Sequence, residues 1–179
     1  ANHNSHADGV TLMTSVPVDR LAKTYPVAAE DYFGKSKLSV FLSWFLINLL
    51  LIPRKRDEKN PKRDPIFILD SYLKNGKSLI FFPEGSRGKA GKIQVFKKGL
   101  GHLMKKNMNI PIIPVYLEGI GRVLPKGNKI MLPGITKIYF GNPIFLENES
   151  VEEIVEKAEN AVHDLKNRCD NNNSSNLRE

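Results

Sequence analysis

His3 and Asp8, at the start of the chain, are the residues whose types and spacing could do chemistry. An imidazole bonded to a carboxylate through one ring nitrogen keeps the other free to take a proton, the arrangement of an oriented general base. Five residues turn a continuous helix through about 140°, so the two side chains do not share a helix face. They could meet if His3 lies in a loop or at a strand end and Asp8 one turn into the following helix. Two other readings fit the same stretch: His3, His6 and Asp8 as metal ligands, or a polar loop that does no chemistry.

The elements that must position such a pair follow in order. Val10 to Thr14 continue a short helix, and Pro26 to Glu30 read as a short strand. Leu38 to Ile52 is apolar apart from Ser39, Ser43 and Asn48. It is shorter than the roughly 20 residues needed to cross a bilayer. It reads either as a buried helix or as one lying at a membrane surface with Trp44 near the headgroups. Pro53 ends it, and Arg54-Lys55-Arg56 opens a charged loop.

Asp64-Pro65 has the form of an N-cap with proline at the first helical position, ahead of an apolar face of Ile66, Leu69, Tyr72 and Leu73. Gly76 closes that helix. Ser78 to Phe82 is a buried strand, and Pro83-Glu84-Gly85-Ser86-Arg87-Gly88 the loop leaving its end. A helix over Lys97 to Lys106, strands at Pro111 to Leu117 and Ile135 to Phe140, and a final helix follow. That last helix starts at the capping box Ser150 to Glu153 and repeats Val151, Ile154, Val155, Ala158, Val162 and Leu165 at helical spacing. From Asp170 the Asn- and Ser-rich stretch is expected to be disordered.

The expected fold is an α/β single domain over residues 1–169, a mixed, mostly parallel sheet flanked by helices, with a polar tail at 170–179. Ligands of such sheets gather at loops beyond strand ends. Chemistry so close to a frayed end leads us to expect a piece of a longer protein, with an upstream strand or membrane anchor.

Across all 179 residues, 27 Lys and Arg against 19 Asp and Glu give a net charge of +8. That balance favours an anionic partner: a phospholipid surface, a phosphorylated ligand or nucleic acid. Nucleic acid ranks last, because no basic stripe alternates with stacking aromatics. The single Cys169 excludes a disulfide framework or paired-cysteine metal site within the chain.

Taken together, separated stretches resemble the glycerophospholipid acyltransferase family, of the lysophosphatidic acid acyltransferase type. Asn2-His3-Asn4-Ser5-His6-Ala7-Asp8 matches its first motif, and Phe82-Pro83-Glu84-Gly85-Ser86-Arg87 its third, with Ser for Thr. Phe96-Lys97-Lys98-Gly99 matches a downstream element and Ile113-Pro114-Val115 the proline-centred fourth motif. Ile52 to Arg56 falls where the second motif belongs, although Lys55 replaces the usual acidic residue and Leu50 a common glycine. By register Arg56 is the second-motif arginine, with Arg54 the alternative.

The resemblance implies transfer of an acyl group from a thioester donor, acyl-CoA or acyl-carrier protein, to a hydroxyl of a lysophospholipid, most simply 1-acyl-glycerol-3-phosphate. His3 is then the base and Asp8 its orienter, with direct attack and no acyl-enzyme. Ser5 is read as a structural loop residue, with a nucleophile the second reading. Arg56, Glu84, Gly85, Ser86 and Arg87 form the acceptor site, Glu84 orienting Arg87 or binding an acceptor hydroxyl. No metal or other cofactor is implied, and the expected location is a membrane surface at the cytoplasmic face. The competing readings are a metal-dependent lipid ester hydrolase using His3, His6 and Asp8, and a non-catalytic membrane-binding module.

Overall fold

Residues 1–5, 7–33, 48–55, 60–123 and 134–175 of the computed structural model are described below. They belong to two units, Gly9–Phe81 and the combination of Ala1–Asp8 with Phe82–Glu179. In chain order, α1 (Asp8–Met13) and α2 (Val18–Leu21) lead to β1 (Thr24–Ala29), and α3 (Glu30–Phe33) follows. Then come β2 (Leu50–Ile52), a 3₁₀ turn at Pro61–Arg63, α4 (Pro65–Lys74) and β3 (Ser78–Ile80). The three strands form a parallel sheet in the order β2-β1-β3.

Strand β1 changes partner along its length. Thr24 to Pro26 pair with Ser78 to Ile80, and Val27 to Ala29 pair with Leu50 to Ile52. The change falls at Pro26, which has no N–H to give to a ladder. Parallel strands of one sheet need crossover connections, and α4 lies in the one that leads from β2 to β3 on the far side of β1. Tyr72 of α4 meets Tyr25 of β1 edge to face, with centroids 5.0 Å apart.

The apolar run expected as one helix ends differently. Leu50–Ile52 is strand β2, and Asn48 before it is left-handed at φ 51, with its amide donating to the Leu21 carbonyl. A helix cannot run through that conformation. A continuous apolar run has no period to separate helix from strand. The rest of the run, Trp44 included, lies outside the described residues.

Local chemistry decides α4 as expected. The Asp64 side chain accepts from the Ile66 and Phe67 N–H groups at 2.8 and 3.4 Å, Pro65 takes the first helical position, and Leu69 and Leu73 are buried. Gly76, at φ +69, leaves the helix in the left-handed conformation that glycine tolerates best. Asp64→Ala should destabilise the protein by about 1 kcal/mol, the usual worth of such a cap, read as a shifted urea midpoint with an unchanged slope.

In the other unit, α5 (Gly99–Lys105), β4 (Val115–Glu118), α6 (Ile120–Val123), β5 (Lys137–Phe140) and α7 (Val151–Ser175) follow in order. Strands β4 and β5 pair antiparallel, with Tyr116 opposite Tyr139. Helix α7 turns Ile154, Val155, Ala158, Val162 and Leu165 inward, and α5 contributes Leu100, Leu103 and Met104 to the same core. Gly101 makes this approach possible, because a Cβ there would lie 2.3 Å from the Val151 carbonyl oxygen. The capping box forms as read: the Ser150 N–H donates to Glu153 at 2.7 Å, and the Glu153 N–H to the Ser150 hydroxyl at 3.3 Å.

Helix α7 runs through Ser175, which replaces the disordered tail expected from Asp170 over that stretch; residues 176–179 lie outside the described ones. Cys169, read as part of a polar end, is fully buried on α7. The α/β class holds, with helices flanking a parallel sheet and a separate antiparallel pair. Among the described residues, no helix is long and apolar enough to cross a membrane.

Candidate active site

Asp8 is the first residue of α1, and the chain before it curls so that three donors converge on one carboxylate oxygen. Oδ2 accepts from the Asn4 N–H at 2.7 Å and the Ser5 N–H at 2.9 Å, and lies 2.8 Å from His3 Nδ1. The carboxylate is 0% exposed and the His3 side chain 22%. A carboxylate only accepts, so the pairing calls for the tautomer with the proton on Nδ1, which leaves Nε2 as the proton acceptor. The ring stacks on Phe82, with centroids 4.4 Å apart and planes at 21°. His3 and Asp8 therefore meet across a loop-to-helix junction, the geometry their spacing required.

The His3 backbone is held on both sides. Its N–H donates to Glu84 Oε1 at 2.9 Å, and its carbonyl accepts from the Gly88 N–H at 2.8 Å. Glu84 is 2% exposed, and its other oxygen accepts from the Gln94 amide at 3.0 Å. Burial raises the Glu84 carboxyl above its ordinary value, and the hydrogen bonds from His3 and Gln94 pull against that rise. This carboxylate is buried and holds the His3 loop.

Two asparagines complete the support. Buried Asn2 accepts from the Leu117 N–H at 2.7 Å and donates to the Leu117 carbonyl at 3.1 Å, standing in for a paired residue beside β4. Its amide also donates to Asn4 at 2.9 Å, and the Asn4 amide donates to the carbonyls of Lys89 and Lys92. Sequence reasoning missed Asn2, Asn4 and Gln94. The available signal was the pair of asparagines flanking His3, whose amides can mimic backbone groups.

The loop after β3 carries the other expected residues. Gly85 and Ser86 are exposed, and Arg87 is half-buried. Gly85 sits at φ +70, and a Cβ there would meet Lys97 Nζ at 2.9 Å, so both conformation and the overlying lysine call for glycine. Lys97 is a cation of the Phe96-Lys97-Lys98-Gly99 stretch that sequence reasoning left without a role. Its N–H donates to the Pro83 carbonyl, and neighbouring Phe96 is buried with its N–H on Glu159. Burial of the Arg87 guanidinium lowers its pKa, while the negative charge of Asp8 acts in the opposite direction.

Ser5 is fully buried and its hydroxyl accepts from the Ala7 N–H at 3.2 Å, a structural bond. His6 and Arg56 lie outside the described residues. Arg54 Nε donates to both oxygens of Asp31 at 2.9 and 2.7 Å. Among the described residues, no group of three or more His, Cys, Asp or Glu is placed to hold a metal ion.

The family described as Acyltransferase matches residues 1–118, which include the His3–Asp8 pair and the Glu84 to Arg87 loop; the chain belongs to that family. A chloroplastic 1-acyl-sn-glycerol-3-phosphate acyltransferase of Brassica napus is 28% identical over 150 residues, which cover 81% of this chain and 40% of the relative. A 1-acyl-sn-glycerol-3-phosphate acyltransferase of Pseudomonas aeruginosa is 29% identical over 119 residues, 65% of this chain and 45% of the relative. The chain thus spans less than half the length of either. The crystal structure of the 1-acyl-sn-glycerophosphate acyltransferase PlsC from Thermotoga maritima superposes with a TM-score of 0.65. It is 24% identical, covers 92% of this chain and 64% of that one, and supports the fold.

Proposed function

We propose that the chain is the catalytic part of an O-acyltransferase of phospholipid biosynthesis. It moves a fatty acyl group from a thioester, acyl-CoA or acyl-carrier protein, to the free hydroxyl of a lysophospholipid, 1-acyl-glycerol-3-phosphate first. The observation that carries this reading is the 2.8 Å bond from His3 Nδ1 to buried Asp8, in a chain of the acyltransferase family.

His3 Nε2 takes the proton from the acceptor hydroxyl as its oxygen attacks the thioester carbonyl. Asp8 stabilises the imidazolium that forms. The tetrahedral intermediate then collapses, the carbon–sulfur bond breaks, and the imidazolium returns its proton to the leaving thiolate. No enzyme nucleophile is needed, in line with a buried Ser5 and a buried Cys169.

The acceptor phosphate is assigned to the Gly85 to Arg87 loop, where Arg87 offers a planar fork and glycine lets backbone approach closely. Arg56 joins it by register. The net charge of +8 and the exposed Ile135 and Phe145 favour an anionic membrane surface, at the cytoplasmic face.

Purified protein given 1-acyl-glycerol-3-phosphate and acyl-CoA should release free CoA only with both present. Arg87→Ala should raise KM for that acceptor roughly 10- to 100-fold, the worth of a charged hydrogen bond, and much less for an uncharged monoacylglycerol. Equal effects on both acceptors would remove Arg87 from the phosphate site.

A further inference from the structure

Gln94 lies outside every motif that the sequence reading singled out, yet it closes the hydrogen-bond chain that ends on His3. Its amide nitrogen donates to Glu84 Oε2 at 3.0 Å and to the Ser86 carbonyl at 2.9 Å. Glu84 Oε1 in turn accepts the His3 N–H at 2.9 Å. The contact with Gly88 is equally close, since a Cβ on Gly88 would meet Gln94 Nε2 at 2.9 Å, and the Gly88 N–H holds the His3 carbonyl. The Gln94 main chain also hydrogen-bonds Glu84, so a side-chain substitution leaves one donor from this residue in place and removes the amide that ties Glu84 to the Ser86 carbonyl, loosening a desolvated charge.

We infer that Gln94 is a positioning residue for the base: it fixes the Glu84 carboxylate, which fixes the His3 backbone and so the direction of the ring. The same amide ties Ser86 to this support, so one side chain aligns the base with the loop assigned to the acceptor. The inference rests on the proposed role of His3. A displaced base costs turnover more than binding, because alignment matters most in the transition state.

The test compares Gln94→Leu, Gln94→Met and Gln94→Lys with the parent chain, using acyl-CoA and 1-acyl-glycerol-3-phosphate and checking thermal unfolding of each. Leu and Met lack donors, and Met conserves the shape if Leu disturbs folding. Lys keeps side-chain donors for Glu84 Oε2 and the Ser86 carbonyl. The expected result is a kcat lower by about tenfold or more in Leu and Met, KM for both substrates within about twofold, and most of kcat restored in Lys. Unchanged kcat in folded Leu or Met proteins overturns the inference. So does a raised acceptor KM at constant kcat, which would place Gln94 in acceptor binding, or a Lys protein as defective as the Leu protein, which would reduce Gln94 to packing. His3→Ala, assayed alongside, separates the two levels: if it keeps full turnover the base itself is wrong, and if it alone fails only the role of Gln94 is wrong.

Discussion

His3→Ala should lower kcat by about 10²- to 10⁴-fold, the usual contribution of a positioned general base. The substitution removes only the ring. The backbone bonds from His3 to Glu84 and from Gly88 to His3 remain, so the loop keeps its course. The ring is bonded to the Asp8 carboxylate, stacked on Phe82 and partly exposed, so its loss opens toward solvent. KM for either substrate should move little, because in the proposed reaction the ring serves the reacting hydroxyl and not the phosphate or the acyl carrier. Steady-state release of CoA, measured beside thermal unfolding, separates lost chemistry from lost fold.

Asp8→Asn should combine a large kinetic effect with a measurable loss of stability. Oδ2 takes three donors, whereas Oδ1 is buried without a hydrogen-bond partner among the described residues. An asparagine therefore keeps its oxygen under His3, Asn4 and Ser5 and turns its amide to the orphaned side. The tautomer of His3 survives, but the negative charge that stabilises the imidazolium is gone, and kcat should fall by about 10²-fold or more. Charge-assisted bonds become neutral and a buried NH₂ gains no acceptor, which should cost about 1–3 kcal/mol in urea unfolding. An Asp8→Asn protein with parental kcat would show that the carboxylate only caps the loop.

What was legible in the sequence was local. The Asp64 cap, the Ser150 box and the buried face of α7 each depend on residues within a few positions, and each forms as read. The His3–Asp8 pair was legible as a possibility, and the start of α1 at Asp8 brings the two side chains together. The end of α7 was not legible, since an Asn-rich stretch argues for disorder while Cys169 is buried within the helix. Strand β2 was hidden because an apolar run has no period. The supports of His3 were hidden for another reason: Glu84 binds it across 81 positions, and Asn2 reaches Leu117 across 115. No pattern along the chain could join them.

The most direct measurement is the identity of the product. Protein, acyl-CoA and 1-acyl-glycerol-3-phosphate would be mixed and the lipids followed by mass spectrometry, with His3→Ala in parallel. Diacylated glycerol phosphate should appear in equal amount with free CoA, only when acceptor is present, and should be nearly absent with His3→Ala. Free fatty acid released without acceptor, or the same diacyl product at the parental rate from His3→Ala, would contradict the proposed reaction.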